Sequence, residues 1–497
     1  MKYAILLPLV IYILVVFAGA LFAYAKRAKG DFLTEYYVGN RSMTGFVLAM
    51  TTAATYVGAS SFIGGPGAAY KYGLGWVLLA MIQVPVVLFT LGVLGKKFAI
   101  WARENNSLTI NDILFFKYKS PTLMLLASLA LLLSFFIMMA VQFIGVGRLL
   151  ETTLNIDYKI SVLVFALTVG VYTFIGGFRA VVLTDSIQGL IMMVGTCILL
   201  FAVIQTGGGV PAIMDKLSHI DPHLLTPYGI ESRPLDFTFM MSFWVLVCFG
   251  LLGLPSTVIR AMSYKDSKAL HQGMVIGTIV IAFLMLTIHL AGALGRAIIP
   301  DLTITDKIIP TLMIQVLPPA VAGIFLAAPM AAIMSSIDSM LIQTSSTLIK
   351  DLYLRFKPEA IQNEKKIKRL STIATLVMTI LVTLSVLNPP DMLIWLNLFA
   401  LGGLETTFLW VILFGLYWKK ANATGAICSM LSGLSCYIIL TASGIKLLGF
   451  HAIVPSLTLG LIAFLIGNLF GKQNKQSIEQ QIAQDMQLEQ QINNNTH

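Results

Sequence analysis

Ala332, Ser335, Ser336 and Ser339 recur at i, i+3, i+4 and i+7 within GIFLAAPMAAIMSSIDSMLIQTSSTLIKDLY, residues 323–353, and so share one face of a helix. Three hydroxyls on one face of an apolar segment suit a hard cation. Sodium prefers oxygen ligands, which a protein supplies from hydroxyls, carboxylates or unpaired carbonyls. The same serines can also back-bond to i−4 carbonyls or pack against a neighbouring helix. A second unusual segment is TAATYVGASSFIGGPGAAY, residues 52–70, where small and hydroxyl residues run from Thr52 to Ser61 and Gly64-Gly65-Pro66-Gly67 follows. Pro66 has no backbone N–H and glycines resist helix propagation, so backbone groups near this point are predicted to leave the helical ladder. At membrane depth such backbone is tolerated where protein buries it or where it lines a wet cavity, and secondary transporters build their sites there. The two segments predict a solute carrier organised around an unwound helix.

The elements that must position these residues are apolar helices. The chain has 497 residues, of which 57% are hydrophobic and 11% charged, a composition that excludes an ordinary soluble enzyme. Apolar stretches of bilayer length give thirteen expected spans, near 4–25, 43–70, 75–95, 121–149, 160–177, 181–205, 237–258, 272–297, 318–348, 370–388, 391–417, 423–443 and 453–471. The first follows Lys2 with no small-residue cleavage site and reads as a retained span.

The net charge of +10 is a topology signal rather than a nucleic-acid footprint. Of 33 Lys and Arg, 24 fall on the side of the connector between the first two spans, which predicts an outer amino terminus and a cytoplasmic carboxyl terminus. Cys197, Cys248, Cys428 and Cys436 lie in apolar spans and read as packed thiols. His219, Asp221 and His223 in the outer connector 206–236 read as a solvated loop in preference to a metal site. His289, inside a span, reads as a hydrogen-bonded core histidine in preference to a proton or substrate group. After Gly471 the chain turns polar and Gln-rich, as expected of a frayed cytoplasmic helix.

Two stretches, 43–205 and 237–417, each hold five expected spans and begin with an unusual one. Five is odd, so the second stretch enters the membrane from the opposite side, the arrangement of an inverted repeat. The expected organisation is a peripheral first helix and loop (1–42), a first repeat (43–205), an outer loop (206–236), a second repeat (237–417), two peripheral helices (418–471) and a polar tail (472–497).

The segments ATYVGASSFIGGPGAAYKYGLGWVLLAMIQ (54–83), GGFRAVVLTDSIQG (176–189), FWVLVCFGLLGLPSTVIRAMSYKDSKA (243–269), HLAGALGRAIIPDL (289–302) and 323–353 resemble the sodium/solute symporter family over nearly the whole chain. The resemblance implies an all-α polytopic membrane protein of thirteen transmembrane helices with a leucine-transporter-type inverted five-plus-five repeat, in a bacterial cytoplasmic membrane. It implies sodium as the coupling ion, held by carbonyls of Ala54, Val57 and Ala332 and hydroxyls of Ser335 and Ser336. A second cation or proton position would use Asp185, Ser335, Asp338 and Ser339, with Asp338 departing from the hydroxyl usual in that pattern.

The solute implied is pantothenate, with proline or a short carboxylate as the alternative within the family. Amides at the start of the half-helix after the break, near Ser60, Ser61, Phe62 and Gly64, suit a carboxylate. Family positions facing the solute fall on Gln83 and Gln142. Arg148 reads as an outer-interface residue or an anion-capture group. Arg260 and Tyr264, at the inner end of the seventh span, read as gating residues, with topological anchoring equally fitting Arg260. No organic cofactor, nucleic acid or obligate protein partner is expected, and lipid is the surrounding solvent. The chain has no HExxH, paired catalytic carboxylates or GxxxxGK[ST] loop to mark an enzyme, and nothing resembles a channel filter.

Overall fold

The computed structural model describes residues 2–25, 41–229, 235–389 and 393–472. The connector 26–40 and the polar tail from 473, with its expected helix, lie outside the described residues. Among the described residues there is no strand, and the sole β-type pairing is an isolated bridge between Met43 and Tyr264. Nine helices are long and apolar enough to cross a membrane, and the bent pair Gly45–Tyr56 and Ser60–Tyr72 makes a tenth. Shorter apolar helices, Leu6–Val15, Tyr158–Val169 and Phe237–Gly253, lie in the remaining expected spans.

The helices follow from composition. Long Leu, Ile, Val and Phe runs have no water to satisfy their backbone, so each closes its own i→i−4 ladder. The expected connector between 160–177 and 181–205 does not interrupt the helix, which runs from Tyr158 to Gly207. Neither Gly176-Gly177 nor Arg179 removes a donor, so nothing there forces the ladder to stop. At about 1.5 Å per residue this run exceeds twice the roughly 30 Å of a hydrocarbon core, length enough for both expected spans.

Helix Ala327–Ser346 is buried along its entire length and packs against Gly45–Tyr56, Pro121–Leu154 and the long helix. It forms the centre of the molecule. Of the four cysteines only Cys248 is buried, while Cys197 is exposed on the apolar exterior, correcting the expectation of four packed thiols. In the connector 206–236, helix Val210–Ile220 and the turn Pro222–Leu225 replace the expected open loop. There His219 Nδ1 bonds the Asp215 carbonyl at 2.8 Å and His223 Nδ1 the Asp221 carboxylate at 3.0 Å, so the two rings turn to different partners.

Candidate ion and solute site

The second span is broken, and the break lies at Val57-Gly58, two turns before Pro66. Helix Gly45–Tyr56 ends with the Val57 N–H on Ala53 O, Val57 is extended (φ −88°, ψ 92°), and the following segment leaves at 65°. Pro66 instead lies inside the continuous helical segment Ser60–Tyr72, just after its π turn Ser60–Gly64, and does not mark the break. Gly58 explains the position. A Cβ there would fall 2.7 Å from Gln142 Oε1 and 2.8 Å from Ser336 Oγ, so the chain turns where glycine alone admits two neighbouring polar side chains.

Across this break stands the hydroxyl face of Ala327–Ser346. Ser335 Oγ donates to Ala54 O at 2.8 Å, and Ser336 Oγ lies 3.2 Å from Thr55 O. Both serines also reach Ala332 O at 3.0 Å. Ala54, Val57, Ala332, Ser335 and Ser336 are all buried. Carbonyl and hydroxyl oxygens from two helices therefore converge with no carboxylate among them, the chemistry of a monovalent hard-cation site.

One turn further along, two of the four residues expected to hold a second cation, Asp185 and Ser339, meet a side chain of this protein. Arg260 is 1% exposed and reaches into the core. Its Nη2 donates to Ser339 Oγ at 2.9 Å and to Thr55 Oγ1, and pairs with Asp185 Oδ2 at 3.4 Å. Its Nε donates to Thr51 O at 3.2 Å and its Nη1 to Ser256 O at 3.2 Å. Thr51 Oγ1 donates to the same Asp185 oxygen at 2.6 Å. Burial overturns interfacial anchoring for Arg260, because a snorkelling residue keeps its charge in water. Asp338 is also buried, but as the neighbour of Ser339 it points about 100° away around the helix.

A cavity of about 1010 Å³, part of it open to solvent, adjoins the break. Gln83, Gln142, Ser60 and Ser61 line it, as do Arg260, Ser336, His289 and Asn397, among aromatic walls from Trp76, Phe135 and Phe243. Phe62 and Gly64 do not line it; Gly64 packs on Leu393 and Ile394. The amides expected to be open are partly used, since Ser61 N and Phe62 N both bond Gly58 O. The Ala59 N–H is capped by Gln142 Oε1 at 2.7 Å, and Tyr56 donates to Gln83 Oε1 at 2.6 Å. With both amide oxygens engaged, the two glutamines have N–H donors left for a solute. His289 is a core histidine bonded to Met285 O at 2.8 Å that also borders the cavity.

The seventh span is broken as well. A π turn, Val245–Phe249, passes into a 3₁₀ turn, Gly250–Gly253; Leu254 is extended, and helix Pro255–Ser263 carries Arg260. Arg148 is 4% exposed and pairs with Asp306 at 4.0 Å, so it does not snorkel. Tyr264 is buried at a junction where its hydroxyl donates to Gly95 O at 3.3 Å and Arg103 donates to its carbonyl at 2.6 Å. Thr51, Thr55, Asn397 and Glu405 were missed from sequence. A lone acid within a 25-residue apolar helix was the available signal for Glu405.

Two broken helices meeting at one cavity, with ligand oxygens gathered at the first break, define a membrane carrier of the broken-helix class. The same fold is seen in the substrate-bound outward-open state of a Na+-coupled sialic acid symporter (TM-score 0.78, 18% identity, 96% of this chain and 99% of that one). The chain belongs to the sodium:solute symporter family, which it matches over residues 36–433. It is 67% identical to the sodium/pantothenate symporter of Haemophilus influenzae, over 95% of this chain and 97% of that protein. It is 57% identical to the sodium/pantothenate symporter of Escherichia coli strain K12, with the same coverage of both.

Proposed function

We propose that this protein imports pantothenate by sodium symport across a bacterial inner membrane, through alternating access, with thirteen spans, an outer amino terminus and a cytoplasmic carboxyl terminus. The observation that carries the reading is the pairing of Ser335 with the Ala54 carbonyl across the second-span break, beside a cavity lined by amide donors. Sodium replaces the hydroxyl protons as the partner of these carbonyls and takes Ala54, Val57, Ala332, Ser335 and Ser336 as ligands. Ion binding ties the broken span to the central helix. That completes the wall formed by Gly58, Ser60, Ser61 and Gln142, so the sodium-bound state is the solute-competent one.

Pantothenate presents a carboxylate, an amide, two hydroxyls and a gem-dimethyl group. The amide N–H donors of Gln83 and Gln142 and the hydroxyls of Ser60 and Ser61 suit its polar end, and Trp76, Phe135 and Phe243 suit its apolar middle. Rocking of one group of spans against the other around the broken helices then exposes the site to the cytoplasm. In this cycle the Arg148–Asp306 pair and the Tyr264 junction act as gating contacts. Arg260 between Asp185 and Ser339 supports one sodium per solute, because a tethered guanidinium already supplies the second positive charge.

The test is uptake of labelled pantothenate into proteoliposomes, under an inward sodium gradient or an equal potassium gradient, with labelled proline in parallel. Sodium-dependent accumulation of pantothenate alone is the expected result. Accumulation of proline, or equal uptake with potassium, overturns the assignment.

A further inference from the structure

Glu405 takes no part in the ion and solute site. It lies inside Leu393–Tyr417, is fully buried, and neither of its carboxyl oxygens has a hydrogen-bond partner among the described residues. No ion pair joins it to a Lys, Arg or His among those residues. Asp185, Asp306 and Asp351, which are also buried acids, differ in that each accepts hydrogen bonds. An ionised carboxylate with neither donors nor a counter-charge is not tolerated in an apolar interior, and such a group takes up a proton instead.

Its location gives the proton a consequence. A Cβ on Gly250 would collide with Glu405 Oε2 and lie 2.7 Å from Val245 O, so carboxyl and carbonyl crowd the same point. That point is the junction of the π turn and the 3₁₀ turn in the broken seventh span. Val245 O accepts the Gly250 N–H with one lone pair, and a carbonyl has a second to offer.

Among the described residues, the elements packed against Leu393–Tyr417 offer Glu405 no counter-charge: Lys117 Nζ is bound beyond the end of that helix, to Trp418 O and Lys419 O, and Asp112 pairs with Lys350. Tyr437, on Ala423–Ser443, donates to Leu398 O at 3.2 Å, and Tyr118, on Ile110–Tyr118, donates to Val411 O at 2.7 Å. Tyr56 is committed to Gln83, and Cys248 lies on the π turn itself. Helix Ile453–Phe470 and the turn Ser60–Gly64 carry no titratable side chain. On Pro121–Leu154 the charged residues Arg148 and Glu151 are engaged at its far end by Asp306 and Lys307.

We propose that Glu405 is a proton-binding site at the break of the seventh span. The neutral acid donates its O–H to the backbone of the break and holds the packed arrangement. Losing the proton puts an uncompensated anion against Gly250 and forces the break to rearrange. Coupling to transport rests on the symport reading above, whereas the proton site does not.

Two measurements on reconstituted protein test it, with Glu405→Gln as a permanently neutral near-isostere. Infrared spectra of the wild type at neutral pH are expected to show the carbonyl stretch of a protonated carboxylic acid that is missing from Glu405→Gln. Glu405→Asp serves if the glutamine variant fails to fold, its band being displaced rather than lost. The lack of any such difference overturns the proton site. Sodium-driven pantothenate uptake by the wild type is expected to fall at alkaline pH, by about tenfold per pH unit beyond the midpoint. Glu405→Gln should stay flat across that range, and identical pH profiles overturn the coupling. A carboxylic band without pantothenate uptake in either protein supports the proton site and rejects the symport reading instead.

Discussion

Ser335 and Ser336 share the helix face that their spacing predicted, and at the residue scale that face stands against the Ala54 and Thr55 carbonyls at the end of another helix. Each hydroxyl now satisfies itself on a carbonyl, so a cation must displace two hydrogen bonds and supply more than their combined worth. Removing one ligand oxygen is expected to weaken sodium far more than it weakens the fold. Ser336→Ala should raise the sodium concentration for half-maximal uptake at least tenfold, equivalent to about 1.4 kcal/mol, and should largely lose sodium-dependent thermal stabilisation. A wild-type sodium dependence in Ser336→Ala would remove this serine from the ion site.

At the element scale the breaks decide which backbone groups become available. The break at Gly58 is set by what surrounds it, and Gly58→Ala should abolish uptake while leaving a folded, membrane-inserted protein; transport, circular dichroism and detergent-gel monodispersity read the two separately. The seventh span depends on a local signal at its amino-terminal end. Asp236 caps helix Phe237–Trp244 through the Phe239 N–H at 2.7 Å and also accepts from Thr238 at 2.8 Å. The Phe239 amide holds the Asp236 carboxyl below its ordinary range, with the Thr238 hydroxyl and Lys446 acting the same way. A carboxyl depressed in the folded state contributes stability above its unfolded value, and that contribution is lost as pH falls below about 4. Asp236→Ala should cost about 1 kcal/mol near neutral pH, and the gap in Tm from the wild type should narrow in acid.

Charge transfer belongs to the whole molecule. One sodium with one pantothenate anion moves no net charge, so the sodium concentration ratio alone would drive uptake, about 1.4 kcal/mol per tenfold ratio. A second sodium would add about 2.3 kcal/mol per 100 mV of membrane potential. With Arg260 held among Asp185, Ser339 and Thr55, initial uptake is expected to be unchanged when a potassium diffusion potential is imposed on proteoliposomes at constant sodium gradient. Potential-driven acceleration in the wild type would show that a second cation crosses despite the guanidinium.

The helical class, the membrane setting and the serine face of residues 332–339 were legible in the sequence, because apolar length and a 3.6-residue period act between near neighbours in the chain. The exact break was not. Pro66 carries the strongest local signal yet falls within the helical segment Ser60–Tyr72, because the turn goes instead to Gly58, where Gln142 and Ser336 approach from distant segments. Nor could spacing place Arg260 beside Asp185, Arg148 beside Asp306, or Glu405 against Gly250. Each of those positions is fixed by which helix face meets which partner. Sequence determines that a charge lies in an apolar helix, but only packing across the bundle decides whether it meets a counter-charge, a carbonyl or nothing.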